Sequence, residues 1–423
     1  MDILLINMLD IRFVRENAEL VEKKAEQKGY KVDIKHLLKI DEDRRNLLAE
    51  IEKVRAQRNA LAEQLKNKKL IEQETAKGQD LKKKLKALEL ELDPVEIEFN
   101  ELLTSVPNVF PDDTPLGGEE ANREEKKWGD TGNKGFEVKD HVSWAQEKDL
   151  LDFERGAKVA GNKFYYTKGT LVELEFAILQ LGLELAKKHG FMPMLVPHLV
   201  NTRVLEGAGF SAKGEERQIY KVEGEDLNLI ATAEIPLTGY HADEILLDLP
   251  KLYGGFSPSY RLEAGAYGKH AKGLYRVHQF DKLELYVFCV GALKESEKWH
   301  QKMVAMEEEL CQQLKLPYRI VRIAAGDLGT PAYKKFDLEY WSPVDKTYRE
   351  LMSCSNVTDY QSRRLNIRYK NEAGDTRYTH TLNGTLAAIS RLIIAIIENY
   401  QTAGGKVGIP TVLRPYMGGQ LTI

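Results

Sequence analysis

The sequence predicts an α+β chain, with a long antiparallel helical hairpin at its N-terminus and a larger C-terminal part that mixes strands and helices without a βαβ rhythm. Three observations carry that expectation. Residues 31–103 hold no aromatic side chain between Tyr30 and Phe99 and one proline, and their aliphatic residues recur at steps of three and four. After Val106 the stretch PNVFPDDTPLGGEEANREEKKWGDTGNKG gathers Pro, Gly and charge, which marks a boundary. From His141 onward, strand-like runs are separated by long connections.

In the first half of the hairpin Leu37, Ile51 and Leu65 share one heptad position, and Ile40, Leu47, Val54 and Leu61 lie three residues further on. Arg44 and Arg58 interrupt the first row. In the second half Leu81, Leu85, Leu88, Leu92, Val95, Phe99 and Leu102 step by four and three without a miss. The polar stretch 67–79, with Gly78 inside it, separates the two seams, as an antiparallel hairpin requires. A helix over residues 33–66 would reach ~50 Å, so the hairpin is expected to project from a globular body. Pro94 is expected to kink the second helix. The domains expected are 1–106 with the arm at 31–103, a linker at 107–140, and a larger body at 141–423.

Lys plus Arg number 61 against 65 Asp plus Glu, a net charge of -4, which excludes a globally basic nucleic-acid binder and gives no reason to expect DNA. Charge is nevertheless local. Residues 51–86 carry 11 Lys and Arg against 5 Asp and Glu, which suits a phosphate-binding tip. The other reading stays open at this point, namely that Lys82, Lys83, Lys84 and Lys86 only solvate a helix face. Cys289, Cys311 and Cys354 form no CxxC pair, so neither a disulfide framework nor a Cys-rich zinc site is expected, and a reducing cytoplasm fits. The opening MDILLINMLDIRF lacks the basic start and cleavage site of a signal peptide, and Leu392–Ile397 is too short to span a bilayer, so no membrane partner is expected. There is no GxxxxGK[ST] and no GxGxxG; a nucleotide would have to be held by another design.

The segment YRLEAGAYGKHAKGLYRVHQFDKLELYVFCV, residues 260–290, reads as two strands joined by a glycine-bearing loop with Lys269, His270 and Lys272 at its tip. Arg261 and Glu263 would share one face of the first strand. Arg276, His278, Phe280, Lys282 and Glu284 would share one face of the second. Two arginines, two glutamates and a ring make poor core, because unpaired buried charge is costly. They suit a charged ligand: guanidinium forks take phosphate oxygens, a ring stacks a purine, and carboxylates accept amines. Any one of these residues alone reads more simply as a surface or ion-pair residue.

These residues resemble the class II aminoacyl-tRNA synthetases, and specifically the seryl-tRNA synthetases of the bacterial type. Arg261, Glu263 and the run RVHQFDKLE are similar to the family's second signature motif, THTLNGTLAAISRLIIAIIENYQ to the third, and MLVPHLV to the first, with Pro197 at a dimer interface. The opening MLDIRFVREN and the closing GIPTVLRPYMGG extend the resemblance over nearly the whole chain, with Met8 at the usual start. The implied fold is an antiparallel β-sheet catalytic domain flanked by helices. The resemblance puts Thr232, Ala233, Glu234, Glu284, Asn383 and Thr385 in a serine pocket. It puts Arg261, Leu262, Glu263, Arg276, Val277, Phe280, Glu350, Leu351, Met352, Ser353 and Arg391 around ATP, with Phe280 stacking adenine, and with Glu350 and Ser353 holding Mg²⁺. Arg261 and Arg391 are the implied catalytic residues. The segment EGAGFSAKGEERQIY, residues 206–220, departs from the pattern of many bacterial relatives.

The implied reaction joins L-serine and ATP as seryl-adenylate and then loads tRNA(Ser), and tRNA(Sec) where one exists, in a cytoplasmic homodimer whose hairpin reads tRNA by shape. The residues at 264–275 would meet the acceptor end. Two rival readings remain, an amino acid:carrier-protein ligase and a catalytically inactive paralogue acting as a coiled-coil RNA-binding protein. The long arm and the sparse cysteines weigh against the first, and the retained Arg261, Glu263, Glu284, Glu350 and Arg391 against the second.

Overall fold

The computed structural model describes residues 10–65, 72–210, 219–263 and 273–423, without the side chains of 64–65 and 72–75. Met8, the tip residues Lys269, His270 and Lys272, and 211–218 of the departing segment lie outside the described residues. The chain divides into two compact units, Met1–Val109 and Phe110–Ile423.

In the first unit Ile34–Leu65 (α1) and Glu72–Ser105 (α2) form the hairpin. Leu37, Ile40, Ile51 and Val54 of α1 and Leu85, Leu88 and Phe99 of α2 are buried, so the heptad rows are the seam. Arg44, which interrupts a row, lays its guanidinium 4.7 Å from the centre of the Phe99 ring and donates to Glu96 at 2.9 Å. The ring and the carboxylate together let a cation sit at the seam edge. His36–Glu98 at 2.8 Å and Arg55–Glu89 at 3.0 Å fix the antiparallel sense; both pairs are solvated and orient the helices more than they stabilise them. Pro94, where a kink is expected, lies inside α2 and does not end it. α2 runs through it to Ser105, because packing on both sides, at Leu88 and Phe99, outweighs one lost backbone hydrogen bond.

The second unit is built on eight strands: Arg123–Trp128 (β1), Met192–Leu195 (β2), Lys251–Tyr260 (β3), Gln279–Cys289 (β4), Tyr318–Arg322 (β5), Lys334–Ser342 (β6), Thr347–Thr358 (β7) and His380–Ala388 (β8). They form one sheet in the order β1-β5-β6-β7-β8-β4-β3-β2, antiparallel throughout except for β2 on β3. Helices Thr170–Lys188 (α3), Leu293–Gln313 (α4) and Ile389–Tyr400 (α5) share one hydrophobic core with it. The parity of β4 divides the work. Leu283, Leu285, Val287 and Cys289 enter that core, whereas Phe280, Lys282 and Glu284 point to the other face, where Tyr286 and Phe288 continue into a second core. Gly384 of β8 lets α4 lie close, since a Cβ there would stand 3.0 Å from Met303 Cε and 3.2 Å from Cys354 Sγ.

Two local expectations change. Within 107–140, expected as linker, β1 is an edge strand paired with β5, and its run of Arg, Glu and Lys suits an edge by discouraging further pairing. Arg261 and Glu263 lie beyond the end of β3, and Arg276 and His278 before the start of β4, so strand parity does not place these four. Arg261 N–H still donates to His278 O at 3.0 Å, but Glu263 takes a left-handed φ of 46° and leaves the ladder. Among the described residues no helix is long and apolar enough to cross a membrane.

Ile51→Ala deletes buried volume from the hairpin seam and is expected to cost about 2–5 kcal/mol of local stability. Hydrogen exchange of amides in 34–65 and 80–105, compared with wild type, measures it.

Candidate active site

The open face of β4, the ends of β3 and β7, and the start of α5 converge on one cleft. It is lined by Arg261, Glu263, Arg276, Val277, Phe280, Glu350, Leu351, Met352, Ser353, Thr385 and Arg391. Every residue expected around ATP is there except Leu262, which does not line it. Arg261 holds its guanidinium 5.2 Å from the Phe280 ring centre and donates from Nε to Ala231 O at 3.2 Å, while Arg276 reaches Glu263 at 3.5 Å. Burial lowers the Arg261 pKa, yet a guanidinium stays charged in proteins. The positive φ of Glu263 turns the chain out of the ladder at the rim of the cleft.

At the opposite end Arg391 Nη1 pairs with Glu350 Oε1 at 2.9 Å, and its guanidinium lies 4.7 Å from the Tyr275 ring centre. Tyr275 donates its hydroxyl to Glu350 O at 2.9 Å. Desolvation opposes ionisation of Glu350, but Arg391, Lys335 and Arg261 outweigh it and hold the carboxyl down at about 2. Its side chain remains 41% exposed, so it stays open to a ligand despite those cations. α5 follows β8 directly, and its N-terminus carries no side-chain cap where Ala388, Ser390 and Arg391 face the cleft. Its dipole therefore adds to a field that favours anions.

Glu350 and Ser353 stand three apart on β7 and would face opposite ways in a regular strand. The register slips between Leu338 and Glu339, where Met352 pairs with Leu338 and Glu350 with Glu339. That bulge at Leu351 brings Glu350 and Ser353 to one face and buries Leu351 and Met352 in the core. Among the described residues no three His, Cys, Asp or Glu side chains could hold a metal by themselves. One carboxylate and one hydroxyl fit Mg²⁺, which takes hard oxygen donors and completes its shell with water and phosphate oxygens.

Beside the cleft, Glu234 opens the short helix Glu234–Gly239 and is 7% exposed. Its Oε1 accepts from Gln361 Nε2 at 2.7 Å and from Asn383 Nδ2 at 2.9 Å. Thr232 Oγ1 accepts from the Glu234 N–H at 3.3 Å, and Ala233 between them is fully buried. Thr385 donates to Glu284 Oε2 at 3.4 Å, and Lys282 forms an ion pair with the same oxygen. Burial, then the neighbouring Glu284, pushes Glu234 up to about 7. All six residues expected to hold serine thus gather beside the charged cleft, in contact with it through Thr385.

Sequence reasoning gave no part to Lys282, Lys335 or Gln361 and placed Tyr275 only in the segment expected to meet the acceptor end, yet Lys282, Lys335 and Tyr275 line the cleft and Gln361 contacts Glu234. The parity of β4 signals Lys282. Gln361 gives no local signal: it arrives from a separate helix, Tyr360–Arg364, and its Oε1 accepts from Tyr286 and Thr381 at 2.7 Å each.

An antiparallel sheet with an arginine on each side of such a cleft is the core of a class II aminoacyl-tRNA synthetase. Residues 219–400 match the family model for the tRNA synthetase class II core domain (G, H, P, S and T), and residues 8–110 match that for the seryl-tRNA synthetase N-terminal domain. The serine–tRNA ligase of Dictyoglomus turgidum is 45% identical, over 97% of this chain and 98% of its own. The seryl-tRNA synthetase of Pyrococcus horikoshii, solved with ATP, superposes with a TM-score of 0.88 at 38% identity, covering 98% of this chain and 99% of that one. The cytoplasmic enzyme of Naegleria fowleri, solved with AMP, gives 0.85 at 31% identity, covering 99% of each. The chain belongs to the serine–tRNA ligase family.

Because the folded chain favours protonated Glu234, it binds more protons than the unfolded chain between pH 4.5 and about 7, and this group's contribution to stability falls as pH rises through that window. Glu234→Gln is expected to gain stability relative to wild type across the same window. Paired melting curves at pH 5 and pH 7.5 check the sign.

Proposed function

We propose that this chain activates L-serine with ATP to seryl-adenylate and transfers the seryl group to tRNA(Ser), and to tRNA(Sec) where one exists, as a homodimer using Mg²⁺. The observation that carries the reading is the adjacency of two kinds of site. A cationic cleft with a stacking ring adjoins two buried carboxylates, Glu234 held by amides and Glu284 by a hydroxyl and an ammonium, which suits an amino acid delivered to a nucleotide. In the first step a serine carboxylate oxygen attacks the α-phosphorus of ATP, and the bond to the bridging oxygen of pyrophosphate breaks. Both reactants are anions, so rate comes from charge neutralisation and alignment. Arg261 serves the α-phosphate and the stacked Phe280–adenine pair, Glu263 the exocyclic amine, and the backbone at Val277 the ring edge. Arg391, released from Glu350, serves the γ-phosphate beside the α5 dipole. Glu350 and Ser353 would hold Mg²⁺, which supplies further neutralisation of phosphate charge. Glu234 and Glu284 receive the serine ammonium and hydroxyl, with Asn383, Thr232 and Thr385 completing the pocket. In the second step the 3′-hydroxyl of the terminal tRNA adenosine attacks the seryl carbonyl, the bond from that carbon to the AMP phosphate oxygen breaks, AMP leaves, and the hydroxyl proton passes to water.

Exposed Lys82, Lys83, Lys84 and Lys86 on α2 support tRNA binding by the hairpin through phosphates and shape. The homodimer is supported by the edge strand β2, where Met192 is 60% and Leu195 83% exposed beside exposed Pro197.

Serine-dependent exchange of labelled pyrophosphate into ATP, without tRNA, tests the activity: exchange with serine and not with threonine, alanine or glycine is expected. Absence of exchange from folded protein would sink it and favour the RNA-binding paralogue. Arg391→Ala is expected to slow exchange by about 10²–10³. Replacing the four hairpin lysines with alanine should raise the KM for tRNA and flatten its dependence on salt, read by aminoacylation at several ionic strengths.

A further inference from the structure

We infer that Lys282 is a positioning residue for serine recognition, holding one oxygen of Glu284 so that the other is presented to the substrate. The inference rests on the serine-pocket reading above and adds a residue that reading does not use. Lys282 is 6% and Glu284 2% exposed, and they stand two apart on the same face of β4. A lysine ammonium is strongly hydrated, so its burial needs a reason. Its ion pair falls on Glu284 Oε2, and the Thr385 hydroxyl donates to that same oxygen at 3.4 Å. Oε1 of Glu284 takes neither contact. A carboxylate tied at one oxygen by a cation and a hydroxyl has lost its freedom to rotate, and the remaining oxygen is aimed rather than merely available.

Charge balance points the same way. The pocket holds two carboxylates, Glu234 and Glu284, facing Lys282 on β4 and Arg261 at the end of β3, with the neutral amides of Gln361 and Asn383 completing the ring around Glu234. With Glu234 ionised, the two carboxylates balance Lys282 and Arg261, while Glu307 of α4, which also faces Glu284, is pushed well up by burial toward its neutral acid, so the pocket suits a zwitterionic amino acid whose own charges sum to zero. With Lys282 removed, one excess negative charge stays buried, and the cheapest relief is a proton on Glu234, which burial already pushes up and Lys282 holds down. A protonated carboxyl no longer receives an ammonium as a full charge partner. Lys282 therefore acts through Glu284 and Glu234.

Steady-state pyrophosphate exchange, with serine and ATP varied separately, tests this on Lys282→Met, Lys282→Arg and Glu284→Gln beside wild type. Lys282→Met is expected to raise the KM for serine by about 30-fold or more, as loss of one partner of a buried charge pair does, with little change in the KM for ATP. Its kcat/KM for serine should lose activity at higher pH than wild type as the pH falls, because Glu234 without Lys282 holds its proton more tightly. Lys282→Arg, which keeps the cation, should recover part of the serine KM; it also serves as the test if the Met variant melts below assay temperature, since full loss with Arg in a folded protein overturns the inference. An unchanged serine KM in Lys282→Met, or equal rises in the KM for serine and for ATP, overturns it as well. If Glu284→Gln also leaves the serine KM unchanged, the serine-pocket reading falls too; if only the Lys282 variants are silent, that reading stands and the positioning role alone fails.

Discussion

The structure turns on how one strand, Gln279–Cys289, bears charge in a place that is otherwise core. Lys282 and Glu284 are almost wholly buried, yet the residues between and after them, Leu283 and Leu285, belong to the main hydrophobic core. Burying a lone charge is costly, and a buried pair survives only with its remaining donors and acceptors met. Here Thr385 comes from the neighbouring strand, Arg261 from the end of the strand on the other side, and Glu234, Asn383 and Gln361 form an adjoining set. The antiparallel order of the sheet sets Thr385 beside Glu284 from 101 residues away in the chain.

The same logic explains why the Arg391 end of the cleft is built differently. Glu350 and Arg391 face each other across the boundary of the seventh strand and the last helix, and Glu350 keeps partial contact with solvent. This pair is thus less sealed than the Lys282–Glu284 pair. The bulge at Leu351 sets this up: without it, Glu350 or Ser353 would point into the core that Leu351 and Met352 now fill. Strain at Glu263 and a slipped ladder at Leu351 both fall at the rim of one cleft, where local regularity gives way to placement.

In the hairpin a simpler economy holds. Its seam is a repeat, and a repeat needs only neighbours three and four residues away plus one partner helix. Arg44, which breaks the repeat, is accommodated by the Phe99 ring and Glu96, both from the partner. Pro94 is tolerated for a related reason, since the packing of flanking residues carries the helix past a missing donor.

The sequence by itself determined the hairpin, its seam residues, the mixed α and β body, and the chemical types gathered for a charged ligand, because periodicity, charge and motif spacing are local properties. It also determined the face of Phe280, Lys282 and Glu284, since alternation is intrinsic to a strand. It misjudged Arg261, Glu263, Arg276 and His278 as strand residues, because only the ladder shows where pairing stops. Tertiary structure alone decided that Arg123–Trp128 completes the sheet edge, that a one-residue bulge turns Glu350 and Ser353 to one side, and that Gln361 reaches Glu234 from a distant helix. Each of those depends on the register between segments far apart in the chain, and register is set by the packing of the whole sheet, which no local pattern encodes.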